Sequence, residues 1–344
     1  MLNSIKQWFS REPTMRERYV GCLLGQALGD ALGFIVEGYE PDICAAYVRK
    51  EMRKTYIGQR GRTGFAFGQY SDDTQLAREL LDSYVSLGYF EPEDFAARIS
   101  AIFRESRIVG RGQATENAAK RLQANIHWLD SGELAPSAGN GSAMRAGPIG
   151  LLFYDDIEQL IQAAHEQGYC THHDPRCSAG SIVIAFVVAW MLRHETLDTQ
   201  AMLTDLAAAV AEYDPIMAQA LSTRMPIWLS LPPEEAVQEI ARVGVAAGFK
   251  DLWCGISPFV TPSVLWSLYA FLRSPDDYWE TICTAIAVGG DVDTTAAMAG
   301  AMSGASVGLR GLPKSTVKLV TDRETWEYEG LCGLAERVCE LKHG

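Results

Sequence analysis

The stretch 289–295 places two carboxylates, Asp291 and Asp293, directly before a run of small residues at 296–308. That run is rich in Ala and Gly and predicts a tightly packed helix. Successive residues of an α-helix turn by about 100°, so residues separated by one position point about 200° apart. The two aspartates therefore cannot share a helix face, and they can converge only from a loop that leads into the helix. The two glycines that open the stretch give such a loop its backbone freedom.

A second acidic motif, Ser71-Asp72-Asp73-Thr74, precedes another helix with apolar periodicity. The two motifs together could bring four carboxylates and at least two hydroxyls to two helix starts. Converging negative charges repel strongly unless a cation lies between them. All the donors are oxygen atoms, which favours Mg²⁺, Mn²⁺ or Ca²⁺ over Zn²⁺. The sequence therefore predicts a binuclear metal site, and simple N-capping by the acids is the alternative.

Composition limits the class of protein. The chain has 344 residues, 48% of them apolar, and can bury a sizeable core. Its formal net charge of −13 argues against a nucleic-acid surface, because phosphate binding needs clustered Lys and Arg. The eight cysteines form no C-x-x-C pair, which indicates reduced thiols in an intracellular, cytoplasmic protein. The longest apolar run, 182–192, is too short for a membrane span and is typical of a buried helix.

Helical periodicity dominates the chain, and few alternating strand patterns occur. We therefore expect an all-α fold with a single domain at residues 15–344. Within it, residues 40–70 are predicted to form a loop or lid. Residues 75–108 are predicted to be helical, as are the buried segment 178–193 and a closing region at 315–340.

Residues 1–14 precede this domain as an extension. Leu2, Ile5, Trp8 and Phe9 could line one face of a short helix there. Two interpretations stay open, a helix that docks on the core and an arm that presents its aromatic side chains to a partner.

Three glycines, Gly21, Gly25 and Gly29, recur at four-residue spacing. Each glycine inside a helix costs about 1 kcal/mol relative to Ala. Their common face therefore favours a helix that another backbone approaches closely. Glu37 follows in an apolar setting, where a carboxylate is either a paired structural acid or a functional one.

Two further glycine-containing stretches are candidates for ligand binding. The stretch 139–145 lies before a helix, where free backbone N–H groups can bind an anion, and an ordinary turn is the alternative. The stretch 110–112 is a weaker signal of the same kind. His172 lies at the start of a helix and is equally consistent with a structural and a functional role.

Together these motifs resemble those of the ADP-ribosylglycohydrolase family over roughly residues 16–340. The matching stretches, in chain order, are Gly25–Gly33 with Glu37, Ser71–Thr74, Gly110–Gly112, Gly139–Arg145, Thr171–His172 and Gly290–Thr294. The resemblance implies a compact orthogonal helical bundle around a binuclear metal site that holds two Mg²⁺ ions, with Mn²⁺ as the alternative. This chain has Ser71 where the family usually has Thr, and serine keeps the hydroxyl ligand.

The resemblance also implies a role for each matching residue. The metal ligands would be Ser71, Asp72, Asp73, Asp291, Asp293 and Thr294. The ADP-ribose would be held by Gly110, Gly112, Gly139, Asn140, Gly141, Ser142, Met144 and His172. The acid near the metals would be Glu37, and both Glu37 and Asp293 stay open as the catalytic base.

The implied function is a hydrolase that removes ADP-ribose from modified protein side chains, with arginine as the expected acceptor. The alternative is an immunity-type binding protein that neutralises an ADP-ribosyltransferase toxin through its N-terminal extension, with or without hydrolysis. A metal-free structural relative is a third possibility, and the intact acidic motifs argue against it. The expected partner is an ADP-ribosylated protein, and neither nucleic acid nor membrane is expected.

Overall fold

The computed structural model describes residues 12–53, 60–246 and 252–344 of the chain. The described residues form helices joined by loops and contain no β-strand, only four isolated bridges. The all-α prediction is therefore confirmed.

The helices have the following bounds. In the first half of the chain they are α1 (Met15–Phe34), α2 (Pro41–Tyr47), α3 (Asp72–Leu87), α4 (Pro92–Arg104), α5 (Gln113–Gln123), α6 (Trp128–Ser131), α7 (Gly147–Leu152) and α8 (Ile157–Tyr169). In the second half they are α9 (Pro175–Arg193), α10 (Thr199–Val210), α11 (Pro215–Gln219), α12 (Met225–Trp228), α13 (Pro233–Ile240), α14 (Val260–Arg273), α15 (Tyr278–Ile286), α16 (Val292–Gly311), α17 (Lys314–Val317) and α18 (Tyr328–His343). Short π-helical turns span Val48–Met52 and Ala220–Arg224, and a 3₁₀ turn spans Asn140–Ser142.

Helices α1 and α16 touch backbone to backbone. We call this contact the glycine seam, formed by Gly21, Gly25 and Gly29 of α1 and Ala296, Gly300 and Gly304 of α16. A Cβ atom on any of the three α1 glycines would overlap the carbonyl oxygen of the facing α16 residue. The predicted close backbone approach is thus confirmed. Further along α1, Gly33 lies against the backbone of Asp293, so the seam fixes the start of α16 beside the end of α1.

Helix α9 is a core helix. Its residues from Cys177 to Leu192 are buried, which confirms the buried helix predicted at 178–193. By length and hydropathy alone α9 could cross a membrane, but 89% of its most apolar window is buried inside the protein. Its apolar surface is therefore already covered by the other helices.

Residues 41–52 depart from the prediction of a loop at 40–70, which is wrong for this part. They form α2 and the π-helical turn that follows it. Pro41 occupies the first turn of α2, where its missing N–H leaves no hydrogen bond unmade. The buried side chains of Cys44 and Tyr47 anchor the helix on the core.

The helical regions predicted at 75–108 and 315–340 each contain two helices. Gly88, with φ of 82°, ends α3 in a left-handed turn and Pro92 opens α4, so the prediction of helices in 75–108 is confirmed. In the closing region, the segment 318–327 between α17 and α18 is not helical.

The start of α1 is closed by a capping box. Thr14 Oγ1 accepts from Glu17 N at 3.3 Å, and Glu17 Oε2 accepts from Thr14 N at 2.8 Å. Glu17 also pairs with Arg310 of α16. The predicted docking or partner role of the extension rests on residues 1–11, which lie outside the described residues.

Candidate active site

Asp30 of α1 anchors the first acidic motif. Its Oδ1 accepts from Ser71 N at 2.9 Å, and its Oδ2 accepts from Thr74 N at 3.1 Å and from Thr74 Oγ1 at 2.7 Å. Ser71 in turn caps α3, because its Oγ accepts from Asp73 N. A buried acid on one helix therefore fixes where the next acidic helix begins.

The second acidic motif is held by the loop before α16. Gly289 and Gly290 have φ of 75° and 92°, which favours glycine. A Cβ on Gly290 would also overlap the backbone of Ile256. Asp291 N then donates to Ile256 O at 2.8 Å, and the chain enters α16 one residue later. The loop predicted from the sequence therefore has the required geometry.

The two motifs meet at Asp293. Carboxylate oxygens of Asp30, Asp73 and Asp293 lie within 4.8 Å of one another, and so do those of Glu37, Asp291 and Asp293. Asp293 belongs to both groups. Two adjacent oxygen sites that share one carboxylate can hold two divalent ions.

Burial and mutual repulsion raise the pKa values of these acids. Burial raises the pKa of Asp30 and of Asp72 to about 7, and the neighbouring Asp30 carboxylate adds to the effect at Asp72. Burial also raises the pKa of Asp291 to about 6. For Asp73 and Asp293, burial and then the surrounding carboxylates raise the pKa well above its usual range.

Protein cations do not neutralise the buried cluster. In the part of the chain that the structure describes, no Lys or Arg forms an ion pair with the five buried aspartates, and only Glu37 is paired, with Arg62. Buried carboxylates without a cation are costly. Oxygen donors in this number and arrangement fit hard divalent cations, so the residues present are compatible with the predicted metal site.

Asn140 connects the glycine-containing loop to this cluster. Its Nδ2 donates to Asp291 Oδ2 at 2.6 Å and to Ser263 Oγ at 2.9 Å. The loop that was expected to bind ligand is therefore joined directly to one of the acids.

A cavity of about 410 Å³ opens above the acids, a size typical of small-molecule sites. The sequence-predicted residues that line it are Glu37, Asp72, Asp73, Gly110, Gly112, Gly139, Asn140, Gly141, Met144, His172, Asp291, Asp293 and Thr294. Residues from six separate stretches thus converge on one cavity.

Two predicted residues lie beneath the cavity rather than on its wall. Ser71 Oγ lies 3.2 Å from Asp73 Oδ2, close enough to act together with that carboxylate. Ser142 is buried, and its Oγ donates to Cys177 O at 3.1 Å. A ligand role for Ser142 therefore rests on its backbone, and it stays a prediction.

Gly110 lies directly over Asp72. Its φ is 81°, and a Cβ there would overlap Asp72 Oδ1. The position of this loop is set by Gln75, whose Oε1 accepts from Val109 N at 2.7 Å and whose Nε2 donates to Asp322 Oδ2 at 2.7 Å. Neither of these hydrogen bonds of Gln75 was predicted from the sequence.

Sequence reasoning also missed other residues of the site. Asp30 was seen only as part of a glycine motif, although a carboxylate inside an apolar helix was a usable signal. The cavity wall also includes Arg111, Gln113, Ala114, Thr115, Ser137, Trp253 and Pro258. Nothing in the sequence placed Trp253 and Pro258 there, since they lie in an irregular stretch far along the chain.

A second cavity, of about 460 Å³, lies between α11 and α13, and its lining does not include the acids. Three charged residues line it, Arg224, Glu239 and Arg242, and the first two pair with each other at 2.7 Å. It therefore offers no unpaired charge to a ligand through these two groups.

Comparisons with known proteins agree with this geometry. A family model described as ADP-ribosylglycohydrolase matches residues 11–344. Human ADP-ribosylhydrolase ARH3 is 27% identical over 322 residues, which cover 87% of each chain. ADP-ribosylarginine hydrolase Tri1 of Pseudomonas putida is 27% identical over 313 residues, covering 88% of this chain and 74% of the relative.

Two further similarities extend over nearly the whole chain. An uncharacterized protein of Archaeoglobus fulgidus is 28% identical over 329 residues, covering 95% of this chain and 97% of the relative. A solved structure titled "ADP-ribosylglycohydrolase-related protein complex" has a TM-score of 0.71 at 24% identity, covering 95% of this chain and 99% of that one. At this identity the solved structure shows a shared fold.

Proposed function

The chain belongs to the ADP-ribosylglycohydrolase family, and from this premise we propose that it is a divalent-metal-dependent hydrolase that removes ADP-ribose from modified arginine side chains of proteins. The family match confirms the resemblance that the motifs indicated. The observation that carries the proposal is the pair of carboxylate groups that share Asp293 and lie under a ligand-sized cavity. Among the described residues, no Lys or Arg forms an ion pair with the buried aspartates of these groups or with Asp72.

We assign the metal ligands to the two acidic motifs. Two Mg²⁺ ions, or Mn²⁺ in their place, would be held by Ser71, Asp72, Asp73, Asp291, Asp293 and Thr294. Such ions supply Lewis acidity that orients ribose hydroxyls and lowers the pKa of a water molecule.

The residues of the chain divide the remaining work. Hydrolysis breaks the bond between ribose C1 and the guanidine nitrogen, and the transition state has oxocarbenium character. A carboxylate accepts the proton of the attacking water. The two carboxylates proposed for this step are Glu37, which is half-buried, and Asp293, which is buried. The proton that the leaving guanidine takes up balances the reaction.

The glycine-containing loops serve the ligand. Glycines at 110, 112, 139 and 141 line the cavity and let the backbone approach the bound ADP-ribose closely. His172 lies on the same wall. We also propose a cytoplasmic location, which the eight unpaired cysteines support.

The proposal is tested by hydrolysis of defined ADP-ribosyl-arginine and ADP-ribosyl-serine peptides, with Mg²⁺ and with EDTA. We expect release of ADP-ribose from the arginine peptide, loss of activity in EDTA and recovery with Mg²⁺ or Mn²⁺. Asp293→Asn should nearly abolish hydrolysis while circular dichroism stays unchanged. Full activity after exhaustive dialysis against EDTA would falsify the metal requirement, and turnover of the serine peptide alone would contradict the acceptor.

Neutralisation of an ADP-ribosyltransferase toxin is a second candidate function. The family match begins at residue 11, and the unmatched segment before it carries Trp8 and Phe9. Aromatic side chains of this kind often anchor protein interfaces. Deletion of residues 2–11 spares the capping residue Thr14 and should weaken binding to a transferase without changing hydrolysis. Unchanged transferase binding would contradict this function.

A further inference from the structure

Arg145 is a buried cation without a carboxylate partner among the described residues. Its Nε donates to Gln167 Oε1 at 2.9 Å, and its Nη2 donates to Gln167 O and to Thr171 Oγ1, both at 2.8 Å. The guanidinium lies over the ring of Phe95, 5.2 Å from the centroid. Burial of an unpaired charge lowers the stability of the fold, so we expect the hydrogen bonds of Arg145 to have a function.

The Thr171 hydroxyl connects Arg145 to His172, because it is within hydrogen-bond distance of both side chains. Thr171 Oγ1 accepts from Arg145 and lies 2.7 Å from His172 Nδ1 and 3.3 Å from Gly168 O. The hydroxyl has one hydrogen, which can go to only one of these two atoms.

The Gly168 carbonyl decides where that hydrogen goes. It already accepts from Thr171 N at 3.0 Å and from His172 N at 2.9 Å, so both of its lone pairs are used. The shorter contact to His172 Nδ1 therefore takes the hydroxyl hydrogen. Donation by Arg145 polarises the same hydroxyl and strengthens it as a donor.

The imidazole of His172 is thereby fixed in one tautomer. Because Nδ1 accepts, the ring hydrogen is on Nε2. His172 lines the cavity, and its Nε2 has no hydrogen-bond partner among residues 12–53, 60–246 and 252–344. Burial, followed by the nearby Arg145 charge, lowers the pKa of His172 to about 3, so the ring stays neutral at physiological pH.

We propose that Arg145 and Thr171 are positioning residues that fix His172 as a neutral Nε2–H donor to an oxygen atom of the bound ligand. This inference rests on the proposed function for the identity of that ligand, ADP-ribose, whose phosphates and hydroxyls present oxygen acceptors. We call the hydrogen-bonded series Arg145–Thr171–His172 the relay. Gln167 connects this relay to the glycine-containing loop at 139–145, since its Nε2 also donates to Ser142 O at 2.9 Å. The relay therefore positions the donor and the loop together.

The tautomer can be read directly by long-range ¹H–¹⁵N spectra of full-length protein with ¹⁵N-labelled histidine. The chain has six histidines, and the His172 signals are assigned by their loss in His172→Gln. We expect a bare Nδ1 and a protonated Nε2 in the wild type and in Thr171→Ser. Thr171→Val removes the donor to Nδ1, so both nitrogen signals should move towards values averaged over the two tautomers.

Ligand binding gives the second readout. Calorimetric titration with free ADP-ribose in Mg²⁺ should show about tenfold weaker binding for Thr171→Val, the effect of one lost hydrogen bond, and near wild-type binding for Thr171→Ser. Thr281→Val is the matched control, because Thr281 is a buried threonine whose hydroxyl donates to Ser274 O in another part of the fold. It should change neither the His172 signals nor the affinity.

Two results would overturn the relay. One is a protonated Nδ1 in the wild type, and the other is a Thr171→Val protein with unchanged His172 signals and unchanged affinity. Failure of the proposed function looks different. It would appear as no hydrolysis of any ADP-ribosyl peptide, while the nitrogen spectra would still establish or refute the relay.

Discussion

Asn140 uses both of its amide hydrogens on buried acceptors, Asp291 Oδ2 and Ser263 Oγ. Residues that hold a metal-ligating side chain typically change metal affinity 10- to 100-fold when removed. If Asp291 is such a ligand, Asn140→Ala should weaken Mn²⁺ binding by about tenfold or more, measured by electron paramagnetic resonance of free Mn²⁺. The affinity for Mn²⁺ should fall because the Asp291 carboxylate is no longer held in one orientation.

Ser263→Ala is the matched control for Asn140→Ala. It removes one partner of Asn140 but leaves the bond to Asp291 in place, so the loss of Mn²⁺ affinity should be much smaller. Equal losses in the two variants would show that loop packing, not orientation of Asp291, sets the affinity.

At the residue scale the sequence predicted most of the residues that belong to the site, but few of the contacts between them. Asn140 was expected to face a ligand, because a glycine-flanked loop before a helix is typical of anion binding. Its bond to Asp291 depends on the packing of two segments far apart in the chain, which no local pattern encodes. Asp30 was missed for the same reason, since its three hydrogen bonds all go to the start of another helix.

Helix packing leads to a stability prediction at the glycine seam. Alanine is the better helix former by about 1 kcal/mol, which on its own would make Gly25→Ala stabilising. A Cβ at this position would overlap Gly300 O, so the two helices would have to separate. We expect Gly25→Ala to lower the free energy of unfolding by about 1–3 kcal/mol or more, measured by urea denaturation.

Gly333 of α18 provides the control for this substitution. The nearest atom to a Cβ placed there is Arg337 Nη1 at 4.0 Å, so only helix propensity changes. Gly333→Ala should raise stability by about 0.5–1 kcal/mol. A Gly25→Ala protein as stable as Gly333→Ala would refute the steric argument.

At the element scale the glycine spacing predicted a close helix contact, but it could not name the partner helix. The loop prediction for 40–70 failed at α2 because glycines and charged residues further along suggested irregular structure. The helix depends instead on Pro41 in its first turn and on the burial of Cys44 and Tyr47. Burial of these two side chains in the tertiary structure outweighed the local composition, and the segment is helical.

The whole molecule should show linkage between metal, protons and stability. Burial raises the pKa of Asp30 and of Asp72 to about 7 in the fold, against 3.8 for an exposed aspartate. Between these values the folded state binds more protons than the unfolded state, so metal-free protein loses this contribution as pH rises. We therefore expect the melting temperature in EDTA to fall between pH 6.5 and 8.

Mg²⁺ should reverse that trend. A divalent ion binds the ionised carboxylates and competes with their protons, so its stabilisation grows with pH. The difference in melting temperature between Mg²⁺ and EDTA should be larger at pH 8 than at pH 6.5 and should largely disappear in Asp293→Asn. An equal difference at both pH values would count against metal binding at these acids.

For the molecule as a whole, the all-α fold and the family followed from the sequence because the motifs are specific in combination. The meeting of the two acidic helix starts was a hypothesis from the repeated pattern of a hydroxyl and two carboxylates before a helix, and the structure brings Asp73 and Asp293 together as that hypothesis expected. The division into an extension at 1–14 and a domain at 15–344 stays a prediction.

The glycine seam has a consequence for genetic screens. Where α1 and α16 touch, every amino acid other than glycine adds atoms to occupied space. A library scored only by loss of activity would therefore mark Gly25 as intolerant to the same degree as Asp293. Scoring the same library for cellular abundance separates the two, because substitutions at Gly25 should deplete the protein while Asp293→Asn should leave its amount unchanged. A map of intolerant positions alone would therefore mark residues needed for packing as strongly as residues needed for activity.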